Sequence, residues 1–363
     1  MKIATNILKD AVSKAVKGAS NNNNMPLTGM IGIKLHNGEL RLLTTDLLNK
    51  LCIIIGNVAG DDVDITVSAD LFSKLISKIT SESVELFVEN DSLNIKANGN
   101  YKIPLECDES GVVSFPDIKF SSGSDTVRGK VKLSSIMNVY NINKASLSKD
   151  VGTPLVGYMC TEDSVISTNG SILTFNSINL FEGQRLLISP QMMYLLTLAE
   201  QEDINFSISN NSIVLTSKNV IIEGAELSGK EDYPVEDIAE YFNIEFASSC
   251  KLPRELLTDV LDRLMLFINS YDRNCAKFTF TRSGIIISSK AGSSDELVRY
   301  VGSDNFQEFS CEVHIPAFKQ LVQASPLDTI TLFYGNDSVL AIKDGNITQI
   351  LSLGSDDEVE YDE

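Results

Sequence analysis

Apolar and polar residues alternate in short runs along much of this chain. Val84-Glu85-Leu86-Phe87-Val88 and Ser92-Leu93-Asn94-Ile95-Lys96 are examples, with the period-two pattern of a strand that buries one face. Between such runs stand residues suited to tight turns: His36-Asn37-Gly38-Glu39, Asn90-Asp91-Ser92, Glu162-Asp163-Ser164, Asn210-Asn211-Ser212, Arg282-Ser283-Gly284 and Asn336-Asp337-Ser338. Asn, Asp and Gly tolerate the left-handed backbone that two-residue hairpins require. At intervals the alternation gives way to stripes of period 3.6. Ile7, Leu8, Ala11, Val12, Ala15 and Val16 form one, and Leu71, Phe72, Leu75, Ile76 and Ile79 another, so each predicts an amphipathic helix.

These helices recur in phase. Pro190, Pro253 and Pro316 are 63 residues apart, and each follows a short strand-like segment. Proline suits the first helical position, where its fixed φ fits and its missing N–H is not needed. Val67-Ser68-Ala69-Asp70, Val131-Lys132-Leu133-Ser134 and Ile3-Ala4-Thr5 extend the series backwards, two of them as strands running into Ser-capped helices. Helices are therefore expected near residues 6, 69, 134, 190, 253 and 316, a repeat of roughly sixty residues. Phe115-Pro116-Asp117-Ile118 and Tyr233-Pro234-Val235-Glu236-Asp237-Ile238 resemble one connector used twice, 118 residues apart. The predicted architecture is α+β, three repeated domains at 1–122, 123–245 and 246–353, each made of two strand-helix-strands halves.

Composition narrows what such a repeat can do. The chain has 363 residues, 43% of them hydrophobic, enough for several cores, and a net charge of −19. That charge argues against holding nucleic acid by general positive potential, so any contact with DNA must be local. The N-terminal residues turn polar too early for a signal peptide core, and no window approaches eighteen apolar residues. Six cysteines without a C-x-x-C pair read as reduced core thiols, and a soluble cytoplasmic protein is expected. Residues 354–363 hold six acids and read as a disordered acidic tail.

Against this acidity, the helix faces opposite the apolar stripes are basic or neutral. Lys9, Lys14 and Lys17 on the first helix, and Lys74 and Lys78 on the second, are examples. Asn138, Asn141 and Lys144 on the third and Lys319, Gln320 and Gln323 on the sixth continue the pattern, while Arg254 stands among acids on the fifth. Such a surface would hold phosphate without reading bases; ordinary solvated faces are the alternative. The fifth helix runs into Leu264-Met265-Leu266-Phe267. One face of a helix cannot bury four successive residues, so an oligomer contact or a deeply buried helix is expected.

Catalytic signatures are missing. With only His36 and His314, a His-based metal or base site is nearly excluded. No Walker loop, G-x-S-x-G or G-x-G-x-x-G is present; Ser146-Leu147-Ser148-Lys149 matches S-x-x-K without companion motifs. The acid pairs Asp61-Asp62 and Asp356-Asp357 read as solvated charge. No metal and no cofactor is expected.

Taken together, the three repeats, the Lys-bearing first helix, Thr44-Thr45-Asp46, the two connectors and Ser167-Thr168-Asn169-Gly170-Ser171-Ile172-Leu173 resemble the bacterial DNA polymerase III beta subunit, the sliding clamp, over residues 1–353. The resemblance implies a head-to-tail homodimer ring around double-stranded DNA, helices lining the hole and sheets outside, with Lys9, Lys14, Lys17, Lys74, Lys78, Lys144, Arg254 and Lys319 facing DNA. It implies a dimer interface at Tyr101, Ile103, Leu266 and Phe267. It also implies a groove for short hydrophobic peptides of the polymerase and clamp loader, at Leu155, Thr168, Gly170, Leu173, Ile238, Leu351 and Leu353. Ser171-Ile172 stands where the family has His-Arg, and Ser352 where it has Pro. The competing reading from another class is a non-catalytic β-rich structural repeat protein, such as a virion component.

Overall fold

The computed structural model describes residues 1–20, 25–109, 111–118, 126–209, 212–304 and 306–353. The turn at Asn210-Asn211, the boundary expected near 122 and the tail 354–363 lie outside them.

One pattern of a strand, a helix and three strands occurs six times. The first copy is β1 (Lys2–Ala4), α1 (Thr5–Ala15), β2 (Met30–His36), β3 (Glu39–Thr45) and β4 (Asn49–Ile55). The second is β5 (Val63–Ser68), α2 (Ala69–Lys78), β6 (Ser83–Glu89), β7 (Ser92–Lys96) and β8 (Asn100–Pro104). The third is β9 (Val127–Lys132), α3 (Leu133–Asn143), β10 (Tyr158–Cys160), β11 (Val165–Thr168) and β12 (Ile172–Asn176). The fourth is β13 (Leu186–Ile188), α4 (Pro190–Leu196), β14 (Asp203–Ser209), β15 (Ser212–Thr216) and β16 (Val220–Ala225). A short helix, α5 (Val235–Glu240), follows in the connector. The fifth copy is β17 (Ser248–Pro253), α6 (Arg254–Leu264), β18 (Cys275–Thr281), β19 (Gly284–Ser289) and β20 (Asp295–Arg299). The sixth is β21 (Phe309–His314), α7 (Ile315–Ala324), β22 (Thr329–Tyr334), β23 (Val339–Asp344) and β24 (Ile347–Ser352).

The chain packs as two compact units, 1–136 with 191–226, and 137–190 with 227–363. Unit 1 holds the sheets β1-β6-β7-β8 and β9-β14-β15-β16-β4-β3-β2-β5. Unit 2 holds β20-β19-β18-β21 and β13-β10-β11-β12-β24-β23-β22-β17, the latter extended by Gly302–Asp304. Two rules generate these orders. The first strand of each copy joins the sheet of its neighbouring copy, as β1 does with β6 and β5 with β2. The last strand pairs with another last strand, β4 with β16 and β12 with β24, all antiparallel. The β4–β16 joint carries one sheet across the limit expected near 122 and the β12–β24 joint carries the other across the limit at 245, so the compact units do not coincide with the three expected domains.

The helices lie within one residue of their expected starts, and the details differ for local reasons. Pro190 opens α4, whereas Pro253 is the residue before α6 and Pro316 the second residue of α7. Ser68 caps α2 through its Oγ, but Ser134 lies inside α3. There Glu202 takes the capping role, accepting from the Ser134 backbone N–H at 3.3 Å and from its hydroxyl. Leu8, Val12, Phe72 and Ile76 are buried as expected, each worth about 1.5–3 kcal/mol, while Ile7 and Leu71 are exposed. The apolar stripes are one column narrower than their composition suggested. Helix α6 stops at Leu264, which is buried; Met265, Leu266 and Phe267 continue as turns into solvent, Leu266 with 79% of its surface exposed. The buried-helix alternative for this run is thereby excluded. Among the cysteines Cys107 is exposed rather than a core thiol. No helix of the described residues is long and apolar enough to cross a membrane.

Candidate functional site

The turn between β11 and β12 in unit 2 is held by its own side chains. Asn169 Oδ1 accepts from the N–H groups of Ser171 and Ile172 at 3.0 and 2.9 Å, and Thr168 Oγ1 donates to Ile172 O at 2.8 Å. Gly170, at φ 90°, supplies the left-handed residue this turn needs, and no atom lies within 4 Å of the position its Cβ would take. The open space belongs to a groove of about 180 Å³. Leu155, Thr168, Gly170, Leu173, Ile238 and Ile350 line it, with Ser171, Asp237, Tyr241 and Ser352 among the residues completing its wall. Beneath it lies a core of Met159, Ile166, Leu187, Tyr233 and Ala341. Apolar walls with exposed polar groups such as Asp237 suit a short apolar segment whose backbone stays near water.

Five of the seven expected groove residues meet here. Leu351 and Leu353 do not: their side chains belong to the core on the other face, with Leu252, Phe280 and Leu340. Successive strand residues point to opposite faces, so a register error of one moves the whole set. Ile350 and Ser352 occupy the groove instead.

A second, wider cleft of unit 2 has a volume of about 940 Å³. Asn138, Asn141, Lys144, Lys149, Gln320 and Gln323 are among the residues that line it, and among the described residues none of its lining is acidic. Asn138 is half-buried rather than exposed, accepting from Asn176 Nδ2 at 2.7 Å. The Lys144 ammonium stands 4.8 Å from the centre of the Tyr140 ring. Four of the other expected cationic residues are paired. Lys14 contacts Asp10 at 2.7 Å and Glu200 at 2.5 Å, Lys74 contacts Asp70 at 2.7 Å, Arg254 lies 3.8 Å from Asp328, and Lys319 meets Asp262. Burial alone favours neutral Lys14, but the hydrogen bonds to its two carboxylates outweigh it and raise its pKa. Lys17 and Lys78 are exposed and Lys9 half-buried.

Of the expected interface residues, Leu266 and Phe267 are exposed and Tyr101 is half-exposed. Ile103 is 1% exposed, packed within unit 1, so its side chain is a core residue and only its backbone is available. It lies on β8, an edge of its sheet, and β20 is an edge of another. Arg263 of α6 forks onto Glu296 of β20 at 2.9 and 2.6 Å, which lowers the Glu296 pKa. Among the described residues no three His, Cys, Asp or Glu side chains are grouped to hold a metal.

The fold has close counterparts in solved structures. The beta subunit of DNA polymerase III from Borrelia burgdorferi, in complex with a natural product, superposes with a TM-score of 0.85 at 17% identity, over 98% of this chain and 99% of that one. The fold is that of a sliding clamp. The clamp of Bacillus subtilis matches at TM-score 0.82 and 16% identity, over 98% of each chain. The clamp of Pseudomonas aeruginosa bound to griselimycin matches at 0.82 and 13%, over 98% and 99%. Residues 1–110 match the family model of the DNA polymerase III beta subunit, N-terminal domain. Comparison with curated protein sequences gives no match. The clamp fold accounts for the six copies, and the sequence signal for Ile350 and Ser352 was the alternation of β24 itself.

Proposed function

We propose that this chain is a DNA sliding clamp, a non-catalytic processivity factor of the cytoplasm. Two copies close head to tail into a ring around duplex DNA, bound without regard to base sequence. Polymerase and clamp loader dock short hydrophobic peptides in the groove of Leu155, Leu173, Ile238 and Ile350. The three domains are 1–122, 123–245 and 246–353, each built from two copies that exchange first strands.

The observation that carries this reading is the use of last strands. Two of the three possible joints, β4 with β16 and β12 with β24, are made within the chain. The remaining last strands, β8 and β20, are both sheet edges. β8 carries Lys102 and no acid, while β20 carries Asp295, Arg299 and a Glu296 already held by Arg263. Pairing β20 of one copy with β8 of another repeats the same joint, and two such joints close a ring of two chains. Leu266 and Phe267, next to α6, add the apolar contact that such an interface needs.

Sedimentation and negative-stain microscopy test this. Two-chain rings with a hole wider than the roughly 20 Å of a duplex are expected, and Leu266→Asp should give folded monomers, because the side chain is exposed in the single chain. Monomers or filaments of the wild type at every concentration would count against the clamp and for a structural repeat protein.

A further inference from the structure

The groove of unit 2 has a structural double in unit 1. Thr45 Oγ1 donates to Asn49 O at 2.7 Å, and Asp46 Oδ1 accepts from the N–H groups of Leu48 and Asn49 at 3.0 and 2.6 Å. These repeat the bonds of Thr168 and Asn169 one for one. The backbone agrees as well: Asp46 N donates to Asn49 O as Asn169 N donates to Ile172 O, both at 3.2 Å. Ala225 N reaches Leu48 O as Ser352 N reaches Ser171 O. The surroundings correspond, with Pro26-Leu27 matching Pro154-Leu155 at the start of a 3-10 turn and Phe115-Pro116 matching Tyr233-Pro234. Leu27, Leu43, Phe115 and Val214 share one cluster as Leu155, Ile166, Tyr233 and Ala341 share the other.

The two copies differ where a ligand would sit. In unit 2 the floor is the cross-strand pair Leu173 and Ile350. In unit 1 the same cross-strand pair is Lys50 and Glu223, joined by a half-buried ion pair of 3.1 Å. At the mouth, Gly170 is replaced by Leu47, held at φ 81°.

We infer that unit 1 contains a second peptide groove closed by three residues, and that Lys50, Glu223 and Leu47 restrict docking of apolar peptides to one site per chain. An apolar segment laid on the Lys50–Glu223 pair would strip water from both charges without replacing it, a cost that the Leu173–Ile350 floor does not impose. The Leu47 side chain also stands where the open groove has none. The inference rests on the groove reading proposed above.

The test is the number of peptides bound. Isothermal titration with the pentapeptide Ser-Leu-Ser-Leu-Phe should give one site per chain for the wild type and two for Leu47→Gly/Lys50→Leu/Glu223→Ile. Exchanging a half-buried ion pair for apolar residues is often neutral or stabilising; if the triple variant does not fold, Leu47→Gly/Lys50→Met/Glu223→Met takes its place with the same two outcomes. A folded variant that still binds one peptide overturns the inference. A wild type whose single site survives Leu173→Asp, or that binds no peptide, overturns the groove reading instead and removes the basis of this one.

Discussion

Leu47 combines a left-handed backbone with a side chain that is 48% exposed. A β-carbon in that region costs roughly 1–2 kcal/mol, and little packing offsets it here. Leu47→Gly should therefore raise unfolding free energy by about 0.5–1 kcal/mol after the greater freedom of the unfolded glycine is allowed for, seen as a higher urea midpoint at unchanged slope. His314 is one residue that makes stability depend on pH. Its ring is buried, and Nδ1 accepts from the Ala317 N–H at 3.3 Å, capping α7. Burial lowers its pKa from 6.5 to about 4. Between these values the unfolded chain holds the proton and the folded chain does not. The stability that His314 contributes should thus be complete above pH 6.5 and fall as pH drops toward 4. Denaturant unfolding at pH 7.5 and 5 checks this, and His314→Asn, which keeps a cap, should flatten the difference.

Helix positions were readable because strand, cap and amphipathic stripe recur in phase. The caps themselves were less so. Ser134 has the right chemistry for a cap, yet α3 begins one residue before it, and the carboxylate of Glu202, 68 residues away, occupies the end of the helix. Glu202→Ala should cost about 1 kcal/mol, measured by thermal or urea unfolding, with fraying confined to the first turn of α3 in hydrogen exchange. Strand β24 carries the same lesson. Its alternation was visible in sequence, but which of Ile350 and Leu351 faces the groove depends on the pairing of β24 with β12, where Leu173 lies opposite Ile350.

At the scale of the molecule, charge is the quantity to measure. Of the eight cationic residues expected at DNA, Lys14, Lys74, Arg254 and Lys319 lie against carboxylates. If these pairs stay intact on DNA, about four phosphates per chain are neutralised. For a ring of two chains the logarithm of the binding constant should then fall with the logarithm of salt at a slope of about −7, rather than the roughly −14 of sixteen free cations. Titration of a short linear duplex across 50–200 mM salt separates the two. The amide-rich cleft of Asn141, Lys144, Lys149, Gln320 and Gln323 would supply contacts that salt screens less.

The amino-acid sequence alone determined the α+β class, the sixfold repeat and the helix starts to within a residue. Each of these follows from local periodicity and turn chemistry, which are properties of neighbouring residues. Tertiary structure alone decided the rest. Strand exchange and last-strand joints are pairings between distant segments, so sequence spacing could not foresee that the compact units cut across the expected domains. The same is true of Ile103, whose burial depends on the sheet around it, and of the Lys50–Glu223 pair, whose partners are 173 residues apart. A lysine or glutamate in a strand reads as solvent-facing until its cross-strand neighbour is known, and here that neighbour is the opposite charge.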